Sequence, residues 1–299
     1  MRSASSEGKV VPFLQGIVRQ NVNLAPFTTL GVGGFAEFFC EPRSVTELIS
    51  LIRMASAAGV QVRLLGGGSN VLIRDGKLQG LVIRLSQPAF KEFTITGEIV
   101  IAAAGAPLGQ IVTSTVRSGL SGLESLIGIP GTLGGAVRGN AGGRAGDIAQ
   151  WIIMVRGLDA QGNETDLKGD QLRFGYRSSN LKPLFITEIN LKLCPDTGDL
   201  AVKRMRGILD EKRKSQPVKL QSAGCIFKNS RNISSRVLIA GCNLAGKQVG
   251  GAIVSPLHPN FIITAPGTKA DDVVSLIDLI RESVLKRMNI DLELEIEVW

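Results

Sequence analysis

The chain has 299 residues, of which 44% are hydrophobic, and its formal net charge is +8 at pH 7. This length and a mean hydropathy of +0.19 indicate a globular protein of about two domains, and the aperiodic glycines exclude collagen-like and repeat proteins. The positive charge favours anionic ligands, but aromatic residues make up only 5% of the chain, which argues against a nucleic-acid partner.

The cysteines and the single histidine indicate the compartment and exclude the commonest metal sites. No C-x-x-C spacing occurs, and His258 alone leaves too few soft ligands for a zinc or iron–sulfur centre. We therefore expect no metal, and free thiols in a reducing compartment. No stretch reaches the roughly 18 apolar residues that a membrane span needs, so a cytoplasmic protein without a membrane partner is expected.

The N-terminal part predicts a leader followed by a small α/β unit. Residues 1–20 carry little information beyond a candidate short helix from Pro12 to Arg19. Phe35–Cys40 is an apolar run typical of a strand. Ser44 is then a candidate N-cap, with Glu47 at the capping-box position of an amphipathic helix.

A glycine loop follows that helix and interrupts two apolar runs. Gly66, Gly67 and Gly68 come directly after strand-like residues and precede Ser69 and Asn70. Residues without a Cβ allow backbone N–H groups to approach a bulky anion, so this loop is a candidate diphosphate site. An ordinary hairpin turn is the alternative, and neither a P-loop nor a G-x-G-x-x-G pattern fits.

A second α+β unit is predicted from about residue 88. Ile99–Ala104 indicates a buried strand and Leu108–Val116 an amphipathic helix, and strands are also expected at Trp151–Val155 and Leu184–Leu193. Between them lies a second glycine-rich stretch, 128–143. Ordering such a stretch costs much entropy, so contact with an extended cofactor is favoured over a flexible linker.

The last third of the chain predicts three helices and a final strand. The first, Asp199–Lys214, carries many basic residues and is typical of a solvated face. A short helix is expected at Ser235–Ala240, and Thr268 is predicted to cap a long one. Strict alternation over Leu292–Val298 predicts a strand with one apolar face. Its other face carries three carboxylates, those of Glu293, Glu295 and Glu297.

Seven short motifs occur in order along the chain. They are TTLGVGG at 28–34, LGGGSNV at 65–71, GIPGTLGGA at 128–136 with NAG at 140–142, FGYRS at 174–178, SAGCIFKN at 222–229, GGAIVS at 250–255 with His258, Asn260 and Phe261, and LELEI at 292–296. Each motif alone is weak. Together they resemble the UDP-N-acetylenolpyruvoylglucosamine reductase (UDP-N-acetylmuramate dehydrogenase) family, in its shorter form that lacks a tyrosine-bearing substrate loop.

The resemblance implies an α+β fold. It consists of a two-subdomain FAD-binding fold of the PCMH, vanillyl-alcohol-oxidase-like type and a C-terminal α+β substrate-binding domain. The corresponding domain bounds are 20–87 and 88–195 for the two FAD-binding subdomains and 196–299 for the substrate domain. The last strand is a candidate to return to the FAD domain.

The resemblance also implies noncovalently bound FAD, with NADPH as the reductant. The first glycine loop would hold the FAD diphosphate through backbone amides, and the second stretch would pass against the flavin. The residues implied to bind the cofactor are Gly66, Gly67, Gly68, Ser69, Asn70, Gly128, Ile129, Pro130, Gly131, Thr132, Gly134, Gly135, Ala136, Asn140 and Gly142.

The implied substrate is UDP-N-acetylglucosamine enolpyruvyl ether, which would be reduced to UDP-N-acetylmuramate for peptidoglycan. Arg177 is the implied stabiliser of the enolate charge, since a guanidinium binds carboxylate oxygens in pairs. Glu295 would polarise the site with it, and Cys225 would donate a proton. The residues implied to bind substrate are Tyr176, Lys228, Asn229 and His258, although a structural role is the alternative for His258. We expect a monomer.

The chain departs from the family pattern most visibly at Cys225, where the family most often has a serine. An ordinary thiol, with a pKa of about 8.5, is protonated at neutral pH and can donate a proton, but a cationic setting would leave a thiolate. An inert buried cysteine is the alternative. Ser230 and Leu294 replace usual prolines, which affects the expected loop geometry more than the chemistry.

Two other function classes stay open at this stage. Another FAD-dependent oxidoreductase of the same fold, acting on an alcohol or hydroxy acid, would explain the glycine loops but not Glu295 or the other C-terminal motifs. A binding protein without catalytic activity would be compatible with the change at Cys225. Taken without the resemblance, Tyr176 to Ser178 would indicate only a surface turn.

Overall fold

A computed structural model describes residues 17–143, 146–196, 200–230 and 233–299. Within them the chain forms two compact units. The first unit comprises residues 17–22, 36–66 and 79–205, and the second comprises 23–35, 67–78 and 206–299. The chain therefore passes between the units several times, once within the first glycine loop. The division at residues 87 and 195 stays a prediction.

Most of the helices lie where the sequence predicts them. Their bounds are α1 Val45–Ala57, α2 Leu108–Arg117, α3 Leu133–Arg138, α4 Leu200–Ser215, α5 Ser235–Gly241 and α6 Ala270–Met288. At α1, the Ser44 side chain accepts a hydrogen bond from the Glu47 N–H at 3.2 Å, as the cap prediction requires. The Glu47 carboxylate accepts from the N–H of Arg43, one residue before the cap.

The strands are mostly short. Their bounds are β1 Val18–Asn23, β2 Phe35–Cys40, β3 Val62–Leu65, β4 Val71–Leu72, β5 Lys77–Arg84, β6 Phe93–Thr96, β7 Ile99–Ala103, β8 Leu120–Ser121, β9 Gly142–Gly143, β10 Gly146–Asp147, β11 Ile152–Leu158, β12 Glu164–Lys168, β13 Phe174–Gly175, β14 Ser178–Ser179, β15 Phe185–Lys192, β16 Cys194–Pro195, β17 Ser222–Cys225, β18 Gln248–Val249, β19 Ala252–Val254, β20 Phe261–Thr264 and β21 Glu297–Val298.

The first unit contains two larger sheets. One has the strand order β1-β2-β5-β3, in which β3 and β5 run parallel. The other has the order β12-β11-β15-β7-β6 and is antiparallel throughout. The long apolar strands of both sheets supply buried residues, which is why the hydrophobic runs in this region predict them correctly.

The second unit has its own core. An antiparallel sheet of order β17-β20-β19-β18 packs against α6, whose Val273, Ile277 and Ile280 are buried at helical spacing. The short parallel pair of β4 and β21 also belongs to this unit. It joins the segment after the first glycine loop to the C-terminal end of the chain.

Three local predictions are wrong. Val18 and Arg19 lie in β1 and not in a helix, while Pro12 to Gly16 lie outside the described residues. The N-cap of α6 is Lys269 and not Thr268, whose hydroxyl donates to the carbonyl of Ala265. The final strand is confined to Glu297–Val298, preceded by an isolated bridge at Leu294.

No disulfide joins any of the four cysteines, all of which lie among the described residues. Burial and the neighbouring carboxylates raise the pKa of the Cys40 thiol to about 12. Among the described residues, none of the helices combines the length and the apolar character that crossing a membrane requires.

Candidate active site

The first glycine loop follows β3 directly, and its backbone packs closely against neighbouring segments. Gly68 has a φ of +63°, and a Cβ there would overlap the carbonyl oxygen of Phe27 and lie 2.8 Å from the Thr28 Cα. A Cβ at Gly66 would lie 2.7 Å from the Thr132 hydroxyl oxygen. Glycine is therefore required at Gly68 for close packing against the Phe27 backbone, and a Cβ at Gly66 would press on the Thr132 hydroxyl. Binding of FAD through the main-chain amides of this loop stays a prediction.

The second glycine-rich stretch meets the first through Thr132. This residue lies against Gly66 and also caps α3, where its hydroxyl accepts from the Gly135 N–H at 3.4 Å. A Cβ at Gly134 would lie 2.8 Å from the Ala104 Cβ, so glycine is needed for close packing there. The two predicted cofactor segments are thus in contact at Gly66 and Thr132.

A hairpin formed by β13 and β14 carries Arg177 against the second glycine-rich stretch. Arg177 has a φ of +52°, and its Nη2 donates a hydrogen bond of 2.9 Å to the carbonyl of Gly142. Tyr176 is exposed, and the Arg177 guanidinium lies 5.3 Å from its ring centroid. Arg177 is therefore a non-glycine residue with a left-handed backbone conformation at a tight turn. Such a conformation is uncommon and is found where the surrounding structure fixes the position of a residue.

The side chain of Asn140 stabilises this hairpin through a hydrogen bond to its backbone. Its side chain is buried, donates to the Gly175 carbonyl at 2.9 Å, and accepts from the Ala149 N–H at 3.3 Å. Both ends of the amide therefore serve the protein backbone. The prediction that Asn140 binds the cofactor stays untested, whereas its support of the Arg177 hairpin is visible in these contacts.

In the second unit, Cys225 and Glu295 lie on adjoining segments. The N–H of Glu295 donates to the carbonyl of Ile226 at 2.8 Å, and the N–H of Lys228 donates to the carbonyl of Glu293 at 2.9 Å. Phe227 and Leu294 form the antiparallel bridge between these two bonds. Cys225 and Glu295 are both half-buried. The pairing therefore sets the register of the predicted donor relative to the predicted carboxylate.

Asn260 stabilises the Cys225 segment and was given no role by the sequence. This buried side chain accepts from the Phe227 N–H at 3.0 Å and donates to the Phe227 carbonyl at 2.8 Å. The carbonyl of Asn260 also accepts from the Ile226 N–H at 2.8 Å. The sequence did offer a signal for this role, because Asn260 is a polar residue directly before an apolar strand. A buried side-chain amide needs hydrogen-bond partners for both its oxygen and its nitrogen.

The predicted substrate residues of this unit differ in their surroundings. Lys228 forms an ion pair with Glu293, and Asn229 accepts from the Ser235 N–H at 3.1 Å. His258 is half-buried, its ring meets Phe261 edge-on at 4.7 Å, and its buried Nδ1 has no partner among the described residues. Burial and, secondarily, the charge of Arg236 lower the pKa of His258 to about 4.

Each unit thus assembles part of the predicted site. The first brings Arg177 to the second glycine-rich stretch, and the second brings Cys225 to Glu295. A common cavity for Arg177, Cys225 and Glu295 stays a prediction.

Comparison with known proteins gives a consistent result. A family model for the C-terminal domain of UDP-N-acetylenolpyruvoylglucosamine reductase matches residues 216–299, and an FAD binding domain model matches residues 36–168. The second match contains both glycine-rich stretches. It confirms the prediction of FAD as cofactor, and the two matches together confirm the α+β class with an FAD-binding fold and a separate C-terminal domain.

Relatives of this kind are similar over almost the whole chain. UDP-N-acetylenolpyruvoylglucosamine reductase of Synechococcus sp. (strain JA-3-3Ab) is 39% identical over 95% of this chain and 92% of its own length. The enzyme of Moorella thermoacetica is 38% identical, over 94% and 93% respectively. The crystal structure of the Thermus caldophilus reductase matches with a TM-score of 0.82 and 38% identity, covering 93% of this chain and 97% of that one. This chain therefore belongs to the UDP-N-acetylenolpyruvoylglucosamine reductase family.

Proposed function

We propose that this chain reduces the enolpyruvyl ether of UDP-N-acetylglucosamine to UDP-N-acetylmuramate with NADPH, in peptidoglycan precursor synthesis. The observation that carries the proposal is the pairing of residues 226–228 with 293–295, through the 2.8 Å bond from the Glu295 N–H to the Ile226 carbonyl. This pairing places a thiol and a carboxylate on adjoining segments. The similarity to reductases of known name over nearly the full chain supports the same activity.

The loop at residues 66–70 and the stretch 128–142 would hold FAD, which would supply hydride, derived from NADPH, for the terminal carbon of the enolpyruvyl double bond. Arg177 then meets the negative charge that develops in the neighbouring carboxylate, because its planar guanidinium binds two carboxylate oxygens at once. Its hydrogen bond to the Gly142 carbonyl fixes one edge of the guanidinium and so helps to set the direction of the group. Glu295 holds and polarises the site together with Arg177.

Cys225 is proposed to deliver a proton from its Sγ to the carbon beside the carboxylate. This proton completes the saturated product, and the thiolate left behind regains a proton from water before the next turnover. The thiol is half-buried at the end of β17, and its segment is held by Asn260 and by the Glu295 segment. General acid catalysis depends on such fixed geometry as well as on acidity.

The cofactor is proposed to bind noncovalently through the main chain of residues 66–70 and the stretch 128–142, with residues 20–87 and 88–195 acting as the FAD-binding part. Residues 196–299 act as the substrate-binding part. Tyr176, Lys228, Asn229 and His258 are proposed to contact the substrate. We also propose that the protein acts as a monomer in the cytoplasm, where NADPH is available.

The proposal is tested by an assay of NADPH oxidation with the purified, FAD-loaded chain. Oxidation should depend on the enolpyruvyl ether, and UDP-N-acetylmuramate should form in equal amount. UDP-N-acetylglucosamine, which lacks the double bond, is the matched control and should give no oxidation. Equal NADPH consumption with both compounds would contradict the proposal, as would activity with an alcohol in place of the ether.

The role of Cys225 is tested by stopped-flow measurement of the two half-reactions. Cys225→Ala should keep flavin reduction by NADPH and lose reoxidation by the enolpyruvyl ether, by about a hundredfold or more. Cys225→Ser should retain reoxidation, since a hydroxyl can also donate. Cys242→Ala, which removes a half-buried free thiol elsewhere in the same unit, is the control. Survival of both half-reactions in Cys225→Ala would exclude the assignment.

A further inference from the structure

The segment that carries Glu295 is attached to the first glycine loop by several hydrogen bonds. β21 runs parallel to β4, which begins directly after the loop. The Glu297 N–H donates to the Asn70 carbonyl at 3.0 Å, and the Trp299 N–H donates to the Leu72 carbonyl at 2.9 Å. The backbone position of the C-terminal end is therefore set by the loop and by β4.

One bond in this region comes from a side chain. The Asn70 Nδ2 donates to the carbonyl oxygen of Glu295 at 3.1 Å, across 225 positions of sequence. Asn70 is exposed, so its side chain is not needed to fill the core. An exposed amide that is directed onto the backbone of one particular residue points to a role in holding that residue.

The bond matters because of where Glu295 lies. It is part of a bend between the bridge at Leu294 and β21, and so outside regular strand pairing. Its N–H is held by Ile226 at 2.8 Å, and its carbonyl is held by Asn70. These two contacts restrain the peptide groups on both sides of the Glu295 Cα. That restraint fixes the direction of the Glu295 Cα–Cβ bond, from which the carboxylate side chain extends.

We propose that Asn70 is a positioning residue that orients Glu295, and that its side chain serves the carboxylate segment while the main chain of the loop serves the cofactor. The inference rests on the proposed function, because it assigns Glu295 a role in reduction of the enolpyruvyl ether. It adds a physical link between the cofactor loop and the acidic group of the site. Small displacements of a positioned group can reduce a rate severely.

The test is a double-mutant cycle on flavin reoxidation with Asn70→Ala and Glu295→Gln. Asn70→Ala should slow reoxidation about tenfold in the wild-type background and less than twofold in the Glu295→Gln background, because the orienting contact then has no carboxylate to direct. Asn70→Asp, which keeps the shape but places a carboxylate oxygen against the Glu295 carbonyl, should be slower than Asn70→Ala. Equal slowing by Asn70→Ala in both backgrounds would overturn the proposal.

Two further measurements separate positioning from cofactor binding and from local unfolding. FAD affinity of Asn70→Ala should stay within about threefold of wild type, and the Glu297 and Trp299 amides should stay protected from hydrogen exchange. A tenfold loss of FAD affinity, or loss of that protection, would overturn the proposal. Gln248→Ala is the control, because it removes another exposed side-chain amide of the second unit that donates to a backbone carbonyl, that of Gly250, and it should show no coupling to Glu295→Gln.

Failure of the proposed function would be recognised separately. In that case the wild-type protein itself would show no reoxidation by the enolpyruvyl ether. The contact can then still be examined by NMR, because Ile296 shares a peptide group with the Glu295 carbonyl. The amide nitrogen signal of Ile296 should move in Asn70→Ala, and an unchanged signal would show that the side chain does not restrain this peptide.

Discussion

At the scale of single residues, the geometry of Arg177 depends on its guanidinium group and on an unusual backbone conformation. The residue has a φ of +52° and bonds the Gly142 carbonyl through Nη2. Lysine keeps the charge but not the planar pair of donors. We therefore expect Arg177→Lys to lower kcat by roughly 10²-fold, which is typical of losing a donor to a developing oxyanion, with FAD affinity unchanged.

Steady-state kinetics together with an FAD titration check this expectation. Arg173→Lys is the matched control, since Arg173 is an exposed arginine four positions earlier. It should alter kcat by less than about twofold, as exposed substitutions usually do. If Arg177→Lys were as active as this control, the guanidinium would not be required.

His258 should make stability depend on pH. Its folded-state pKa is lowered to about 4, whereas the unfolded chain has an ordinary value near 6.5. Between these values the unfolded state binds a proton and the folded state does not. The contribution of His258 to the free energy of unfolding is therefore fully present above pH 6.5 and is lost as the pH falls towards 4. The loss should be roughly 2 kcal/mol after allowance for partial solvent exposure.

Urea unfolding of the wild type and of His258→Gln at pH 7 and pH 4.5 measures this contribution. The loss of unfolding free energy between the two pH values should be smaller in the variant, because glutamine does not titrate. Equal losses in both proteins would show that His258 is not the group responsible.

At the scale of elements, the first glycine loop requires glycine for two separate reasons. Gly68 has a φ of +63°, and a Cβ would also overlap the Phe27 carbonyl oxygen. Gly59 has nearly the same φ, +66°, with nothing within 4 Å of the Cβ position. We expect Gly59→Ala to cost about 1 kcal/mol from backbone strain and Gly68→Ala about 3 kcal/mol, because the second change adds a clash with backbone.

Chemical denaturation of the two variants tests the difference. Gly68→Ala should also weaken FAD binding, which fluorescence titration of the apoprotein measures, whereas Gly59→Ala should not. Similar stabilities for both variants would mean that the loop moves away from Phe27 at little cost.

The N-terminal part of α4 is attached to the rest of the first unit through Arg204, which pairs with the carboxylates of Glu124 and Asp196. Arg204 bonds Glu124 through Nε at 2.8 Å and lies 3.5 Å from Asp196, whose other oxygen accepts from the Ala201 N–H. Burial disfavours the charged form of Glu124, but hydrogen bonds from Gly122, Arg204 and Ser121 outweigh it and lower its pKa. Removing Arg204 leaves Glu124 and Asp196 without a cation, while their hydrogen bonds from Ser121, Gly122 and Ala201 remain. Because the Arg204 side chain is partly exposed, Arg204→Ala should cost about 1–2 kcal/mol.

Thermal and urea unfolding check this value. Lys203→Ala is the control, because it removes an exposed lysine from the same turn, and it should change stability by less than about 0.5 kcal/mol. A comparable loss in both variants would indicate a general effect of helix substitution and not the loss of the buried ion pairs.

At the scale of the whole molecule, cofactor binding and folding should be linked. A ligand that binds only the folded state stabilises it by about 2.7 kcal/mol at one hundred times its Kd. FAD added to the apoprotein should therefore raise Tm by several degrees. FMN, which lacks the diphosphate, should raise it less at equal concentration, because the loop at residues 66–70 is proposed to hold that group. Equal shifts would argue against this role of the loop.

The family and much of the local structure were predictable from the sequence. The Ser44 cap, strand Phe35–Cys40 and the helix beginning at Leu108 depend on neighbours within a few positions, and the structure confirms all three. Thr268 shows the limit of such reasoning. Its hydroxyl can either cap the following helix or bond the preceding turn, and in the structure it donates to the Ala265 carbonyl instead of capping α6.

The sequence alone determined most of the longer helices and strands, the glycine loops and the family, because spacing and residue type express short-range physics directly. It did not determine β1, which was predicted as part of a helix, or α3, which lies inside the second glycine-rich stretch. Only the tertiary structure decided that Glu295 pairs with Ile226, that Asn260 braces Phe227 and that Asn70 reaches Glu295. These contacts join residues from 33 to 225 positions apart. Packing of the whole second unit selects them, and no local pattern of residues specifies which distant backbone group a side chain will meet.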